Sequence, residues 1–156
     1  MGKIYAAYGS NIHDTTIKSW APNAREVGVG IIDGYKLLFR GGLATIEPKK
    51  DSKVPVKLYE ISSSDEKGLD EYEGYAVKLY DKIDLPIQIK KYDEDYINRP
   101  MGDLNAMVYV MQKKYPYETP NIQYVRAILY GYLHTEEKYN TQIFTYEGLM
   151  KALLPF

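Results

Sequence analysis

Two short segments of this sequence carry residues that could do chemistry together. The first is the turn Tyr8-Gly9-Ser10-Asn11, which follows the apolar segment Ile4–Ala7. Because glycine allows close backbone approach, consecutive N–H groups in such a turn can hold an oxyanion or a carboxylate. The second is the acidic run Leu69–Tyr75, in which Glu73 precedes Gly74. Together they predict an enzyme site where the turn binds an anion and the run supplies a base.

Each segment also has an ordinary structural explanation. Gly, Ser and Asn are common turn formers after a strand. A glutamate before a glycine is more often a solvated residue at a helix end, and Asp70 and Glu71 compete with Glu73 as the base. The functional interpretation therefore requires the turn and the acidic run to meet in one pocket.

Composition limits the chemistry that such a pocket could use. The chain of 156 residues is expected to form one domain, 1–156, large enough to enclose a pocket. Its 20 basic and 21 acidic residues give a net charge of −1, without the basic excess typical of nucleic-acid binding. With no cysteine and two histidines, thiolate catalysis, disulfides and zinc–thiolate sites are excluded. We expect neither a metal nor a cofactor.

The absence of known motifs excludes further classes of protein. Gly28-Val29-Gly30 begins like a dinucleotide-binding loop, but the position of its third glycine is Asp33. The P-loop, nucleophile-elbow and H-E-x-x-H patterns are absent from the sequence. The first residues lack the apolar stretch of a signal peptide and the pattern for myristoylation. A cytoplasmic protein without membrane attachment is expected.

Local patterns predict the elements that position the two segments. A first strand is predicted over 3–8, followed by a helix over 13–20 with Asp14 as its cap. Asp33-Gly34 is the strongest hairpin signal and predicts two antiparallel strands on either side of it. Another strand is expected after a polar loop at 49–53.

The acidic run is predicted to end a helix. Capping residues at Ser62–Asp65 start this helix, which carries Leu69 inward and breaks at Gly74, so that Glu73 lies at its end. A carboxylate there opposes the helix dipole, which would raise its pKa.

The second half of the chain predicts two more strands and two helices. The strands are expected over 77–85 and 105–111, separated by the acidic loop 92–96, which we interpret as exposed. The helices are expected over 122–132 and 145–153. Several short strands with few helices favour a mixed α+β domain with a curled sheet.

Four segments, taken in order, resemble the gamma-glutamyl cyclotransferase family. They are Tyr5–Asn11, Gly41–Ile46, Leu69–Gly74 with Tyr80, and Pro120 with Tyr124. The resemblance extends from about residue 3 to residue 132. It implies a small, mixed, barrel-like β-sheet with flanking helices, and cleavage of gamma-glutamyl compounds into 5-oxoproline and a free amine or amino acid.

In the implied reaction the α-amino group of the glutamyl unit attacks its own side-chain carbonyl and expels the amine. Because the substrate brings its own nucleophile, orientation supplies much of the rate, with effective molarities on the order of 10⁵ M or more. The protein must move a proton from the α-ammonium group to the leaving nitrogen. The resemblance assigns this step to Glu73, with a pKa raised by burial.

The resemblance also implies the residues that bind substrate, which are Tyr8, Gly9, Ser10, Asn11, Gly42, Tyr80 and Tyr124. The turn amides would hold the developing oxyanion or the glutamyl α-carboxylate, and Tyr8 would wall the pocket. The two later tyrosines fall at pocket positions, although core packing also explains them. Gly42 is expected to allow close backbone approach beside the pocket or to bend the sheet.

The chain departs from its relatives in two places that bear on specificity. The segment His13–Trp20 lacks their arginine-bearing sequence, and Ala76 stands where a proline commonly follows. The tail 136–156 has no clear counterpart and could cover the pocket or join two subunits, so a homodimer is one expectation. An alternative function is a binding protein that captures a small polar ligand without reacting it, and another acyl-transfer or isomerising activity on the same scaffold also stays open.

Overall fold

Five strands form a closed barrel at the centre of the computed structural model, which describes residues 2–96, 102–112 and 115–154. The strands are β1 Lys3–Ala7, β2 Arg25–Arg40, β3 Leu43–Ile61, β4 Tyr80–Tyr92 and β5 Asp103–Met111. Neighbours in the order β1-β3-β2-β4-β5 are antiparallel, and a parallel contact between β1 and β5 closes the barrel. The ends of the predicted domain, Met1 and Phe156, lie outside the described residues.

Helices flank this barrel. They are α1 Asp14–Trp20, α2 Ser63–Tyr72, α3 Ile122–Tyr139 and α4 Tyr146–Ala152, with short 3₁₀ turns at Ser10–Ile12 and Glu94–Tyr96. Inward side chains such as Val56, Leu58 and Ile87 are fully buried and form the core. The predicted α+β class with a barrel-like mixed sheet is confirmed.

The hairpin joining β2 to β3 turns at Gly41-Gly42, so the prediction of a hairpin at Asp33-Gly34 was wrong. A two-residue turn of type I′ needs positive φ at both central residues. Gly41 (φ 58°) and Gly42 (φ 77°) meet this condition. At Asp33-Gly34 only the glycine has a positive φ, 78°, and the chain makes a register shift within β2 there.

The predicted polar loop at 49–53 is largely an unpaired excursion inside β3. The register with β2 passes directly from Pro48 to Lys53, and Asp51 between them adopts a left-handed φ of 64°. Because these polar side chains are mostly exposed, the strand resumes without disturbing the barrel interior.

The helix that ends at Glu73 follows its local signals closely. Ser62 Oγ accepts the Asp65 N–H at 3.1 Å, while the Asp65 carboxylate accepts the Ser62 N–H at 3.0 Å. This reciprocal capping box starts α2, and Leu69 is fully buried as predicted. Glu73 caps the other end, and Gly74 turns the chain away with a φ of 63°.

At α1 the N-cap is His13, one residue before the predicted cap Asp14. His13 Nδ1 accepts the Thr15 N–H at 3.2 Å, and Asp14 is the first helical residue. Asp14 instead lies 2.7 Å from the ammonium of Lys57 on β3. The Asp14 side chain, which the local sequence pattern predicted as a helix cap, therefore forms a tertiary ion pair instead.

Strand β4 begins at Tyr80, three residues later than predicted, because a turn precedes it. The Leu79 N–H donates to the Gly74 carbonyl at 3.0 Å, and Lys78 has a φ of 62°. Val77, expected in the strand, is 75% exposed.

The acidic loop after β4 is not simply exposed, which corrects the sequence interpretation. Asp93 is buried and lies 3.0 Å from the ammonium of Lys138 on α3. Tyr96 is also buried.

The last two helices pack on the outside of the barrel. Helix α3 continues to Tyr139, buries Ile128 and Tyr132, and leaves Ile122 exposed at its start. Between α3 and α4, Phe144 packs edge-on against Tyr132 with ring centroids 5.2 Å apart. Within the described part of the chain, no helix is both long and apolar enough to cross a membrane.

Candidate active site

A small cavity lies beside the turn that follows β1. Its lining residues are Tyr5, Tyr8, Gly9, Ser10, Asn11, Ala44, Glu73, Tyr80, Tyr109 and Tyr124. The turn and Glu73, distant in sequence, thus share one cavity, as the sequence hypothesis required. The cavity also contains six of the seven residues expected to bind substrate.

The turn is held from behind by side chains of β3. The Tyr59 hydroxyl donates to the Asn11 carbonyl at 3.1 Å, and the Lys57 ammonium donates to the Ile12 carbonyl at 3.3 Å. Ser10 begins a 3₁₀ turn, whose first N–H groups have no acceptor within the helix. These amides are therefore fixed in place and suited to an anionic group.

One buried side-chain atom of the turn has no hydrogen-bond partner among the described residues. Asn11 is 2% exposed, and its Nδ2 donates to the Tyr5 hydroxyl at 3.1 Å. Its Oδ1 accepts no hydrogen bond from the described residues. An unpaired buried acceptor is costly, so a donor on a bound ligand would satisfy this oxygen.

Glu73 contributes a carboxyl group that has no partner among the described residues. Among the described residues it makes neither a hydrogen bond nor an ion pair, and burial raises its pKa to about 8. This agrees in direction and cause with the sequence prediction. A carboxyl group with such a pKa exchanges protons near neutral pH, as a general acid or base must.

The two competing carboxylates lie outside the cavity lining. Asp70 accepts a hydrogen bond from the Tyr109 hydroxyl at 2.6 Å and lies 3.1 Å from the Lys82 ammonium. Glu71 is exposed. Their positions favour Glu73 as the reactive acid.

The cavity tyrosines are anchored by backbone groups. Tyr8 donates to the Tyr109 carbonyl at 2.6 Å, and Tyr80 donates to the Ala44 carbonyl at 2.5 Å. The Tyr124 hydroxyl accepts the Ala44 N–H at 3.2 Å, which leaves its own proton available. Burial raises the pKa of Tyr80 and of Tyr124 above the ordinary value, so both stay neutral.

Sequence reasoning missed Tyr5, Tyr109 and Ala44. Tyr5 lies within the resembling segment, but its place in a strand pointed only to the core. Tyr109 lies two residues from the buried Met107 and Met111 and therefore shares one face of β5 with them. This spacing indicates a buried side chain but does not indicate a cavity. Ala44 contributes through its backbone, and such contacts leave no side-chain signal.

Gly42 is the one expected binding residue that the structure does not bring into the cavity lining. A Cβ at this position would face the Glu118 carboxylate at 3.7 Å. Its positive φ serves the hairpin turn, so the bend is the alternative that its geometry supports.

The fold and cavity define a class of protein: a small α+β barrel with a polar cavity that is lined by a turn and by the half-buried acid Glu73. A family model described as gamma-glutamyl cyclotransferase, AIG2-like, matches residues 5–131. The chain belongs to this family, which confirms the resemblance found in the sequence.

Solved structures support the same fold. A structure named gamma-glutamyl cyclotransferase matches with a TM-score of 0.80 at 22% identity, covering 100% of this chain and 90% of that chain. An uncharacterized protein from Homo sapiens matches with a TM-score of 0.78 at 23% identity, covering 99% and 89%. YkqA from Bacillus subtilis matches with a TM-score of 0.68 at 18% identity, covering 96% of this chain and 52% of that chain. At these identities the likeness concerns the fold, and no curated protein sequence matches the chain significantly.

Proposed function

We propose that this protein is a gamma-glutamyl cyclotransferase that releases 5-oxoproline and a free amine or amino acid from gamma-glutamyl compounds. The observation that carries the proposal is Glu73: a carboxyl group without a partner among the described residues, with a pKa of about 8, in the same cavity as the turn. Membership of the family supports the reaction class.

The reaction begins with a proton transfer. The Glu73 carboxylate takes a proton from the substrate α-ammonium group, whose charge favours the ionised form of the acid once bound. The Asn11 Oδ1, which lacks a partner among the described residues, is a second acceptor for this group. Deprotonation frees the nitrogen lone pair for attack.

The freed nitrogen then attacks the side-chain carbonyl carbon of the same glutamyl unit. A C–N bond forms and closes the five-membered ring, while the carbonyl oxygen takes up negative charge. Turn amides of Gly9, Ser10 and Asn11 stabilise this oxyanion or hold the α-carboxylate. Protonated Glu73 gives its proton to the leaving nitrogen, and the original C–N bond breaks as the oxyanion collapses. The restored carboxylate takes the second proton from the ring nitrogen and passes it to the departing amine, so that 5-oxoproline and an ammonium group leave. No water is consumed and no cofactor is used.

Glu73→Gln tests the proposal directly. The amide keeps the shape of the neutral acid but cannot exchange protons, so we expect the fold to persist and turnover to fall by about 10³-fold. The assay incubates protein with gamma-glutamyl dipeptides and measures 5-oxoproline by mass spectrometry. Glu71→Gln, an exposed neighbour, is the matched control and should retain parental turnover.

Two results would contradict the proposal. Equal turnover by the parent and Glu73→Gln would remove Glu73 from the reaction. Recovery of every dipeptide unchanged by the parent protein would favour the alternative, a protein that binds a small polar ligand in this cavity without reacting it.

A further inference from the structure

The chain has one tryptophan, and it lies close to the candidate active site. Trp20 is the last residue of α1 and is 37% exposed. Its ring packs on Tyr72 of α2, with centroids 5.1 Å apart and an angle of 39° between the planes. Large aromatic side chains left partly open to solvent are frequent in binding surfaces.

A glycine on α2 permits this arrangement. A Cβ at Gly68 would lie 1.8 Å from the Trp20 carbonyl oxygen, so only glycine lets the end of α1 approach α2 so closely. Gly68 and Tyr72 are four residues apart and share one helix face. The close approach therefore sets Trp20 over Tyr72 in the last turn of α2, the residue that precedes Glu73 in the chain.

Tyr72 connects Trp20 to the cavity. Its hydroxyl lies 2.6 Å from Ser10 Oγ, and Ser10 lines the cavity. The next residue in the chain is Glu73. From the turn outward, the order of contacts is thus Ser10, Tyr72 and then the partly exposed Trp20.

We propose that Tyr72 and Trp20 form the subsite for the leaving group, and that the favoured substrates carry an apolar, especially aromatic, side chain on the expelled amino acid. This inference rests on the proposed function. The polar cavity with Glu73 suits the glutamyl unit, whereas the Tyr72–Trp20 pair offers aromatic surface and no charge. An aromatic leaving group would pack on that surface and cover indole that is now exposed to water.

Because Trp20 is the sole tryptophan, its fluorescence reports contact without any turnover. The titration uses Glu73→Gln, excited at a wavelength that tyrosine does not absorb, with gamma-glutamyl-phenylalanine or gamma-glutamyl-glycine. We expect a saturable blue shift with the phenylalanine compound and little change with the glycine compound. Saturable binding of gamma-glutamyl-phenylalanine, followed by calorimetry, without a change in Trp20 emission would overturn the subsite, as would no binding at all.

Turnover provides the second test. The parent should show a kcat/KM about tenfold higher for gamma-glutamyl-phenylalanine than for gamma-glutamyl-glycine, equivalent to about 1.4 kcal/mol. Trp20→Ala should lose most of this ratio, and Trp20→Phe should keep most of it. Tyr117→Ala removes a similarly exposed aromatic ring outside the proposed subsite and should keep the parental ratio.

The outcomes separate the subsite from the proposed function. An equal loss on both substrates in Trp20→Ala would indicate a merely structural role, and a shifted ratio in Tyr117→Ala would place the leaving group elsewhere. A preference for gamma-glutamyl-lysine would indicate cation recognition and also overturn the apolar class. A parent that binds gamma-glutamyl-phenylalanine with the fluorescence change but forms no 5-oxoproline would contradict the proposed function alone.

Discussion

Glu73 is half-buried and Asp93 is buried, but the pKa values of their carboxyl groups move in opposite directions. Burial raises the pKa of Glu73 to about 8. Burial also acts to raise the pKa of Asp93, yet hydrogen bonds from Lys138 and from the Asp95 N–H lower it below its ordinary value. The difference between the two sites is the presence of donors.

Asp93 belongs to an ionic cluster formed by Asp14, Glu26, Lys57, Asp93 and Lys138. Lys57 Nζ lies 2.7 Å from Asp14 and 2.9 Å from Glu26. Lys138 Nζ lies 2.7 Å from Glu26 and 3.0 Å from Asp93. The acids of this cluster are thus paired with lysines, whereas Glu73 has no partner among the described residues. The lack of a cationic partner keeps the pKa of Glu73 high enough for proton exchange near neutral pH.

The largest expected loss of stability comes from removing a lysine from the ionic cluster. Lys57 is almost fully buried, so Lys57→Met leaves carboxylates without their cation and should lower the free energy of unfolding by on the order of 3 kcal/mol. Urea denaturation at neutral pH measures this change. Lys53→Met, an exposed lysine of the same strand, should cost less than about 0.5 kcal/mol, and equal losses would contradict the role of burial.

Glu73→Gln should stabilise the protein at alkaline pH. With a pKa near 4.5 when unfolded and about 8 when folded, the acid ionises first in the unfolded chain, so the parent loses stability as pH rises between these values. Glu73→Gln removes this loss and should therefore be more stable than the parent at pH 8, with little difference at pH 4. Urea denaturation across this pH range measures the gain.

Asp93→Asn should change the stability in the opposite direction to Glu73→Gln. The lowered pKa of Asp93 contributes stability above the unfolded pKa, which is lost as pH falls through the folded pKa. Asp93→Asn should therefore lose stability at neutral pH. A gain in Asp93→Asn, or a loss in Glu73→Gln, would contradict the comparison.

The pH dependence of turnover sharpens the comparison further. The reaction needs the Glu73 carboxylate, and the pH dependence of kcat/KM reports pKa values of the free enzyme. Below pH 8, the parental kcat/KM should therefore rise about tenfold for each unit by which the pH increases. Initial rates at low substrate between pH 6 and pH 8 measure this slope. A flat profile over that range would contradict a raised pKa at Glu73.

Lys138→Met should have the smallest effect. Its side chain is 50% exposed, and such pairs contribute up to about 1 kcal/mol. Urea denaturation beside Lys57→Met measures the contrast between an exposed and a buried cation in one cluster. The pH dependence of kcat/KM should stay parental in Lys138→Met, since this residue does not line the cavity.

How far the sequence predicted the fold depended on the range of each interaction. Helix α2 was placed by residues within it or directly beside it: Ser62 and Asp65 cap its start, and Gly74 turns the chain away after its end. Asp33-Gly34 carried an equally local hairpin signal, but β2 continues through it because pairing with β3 spans both sides of the shift. Asp93 looked exposed because its partner Lys138 lies on a distant helix.

The candidate site divides in the same way. The turn and Glu73 were found from residue types and from the order of matching segments. Tyr5, Tyr109 and the backbone of Ala44 were not, because each reaches the cavity only after the barrel closes.

The sequence by itself determined the helix that ends at Glu73, the turn after the first strand and the family to which the chain belongs. Short-range capping and backbone conformation encode the first two, and the ordered segments encode the third. Only the tertiary structure decided which carboxylates gained a partner and which did not. Closing β1 on β5 brings distant groups together, and the pKa of a buried acid depends on those neighbours.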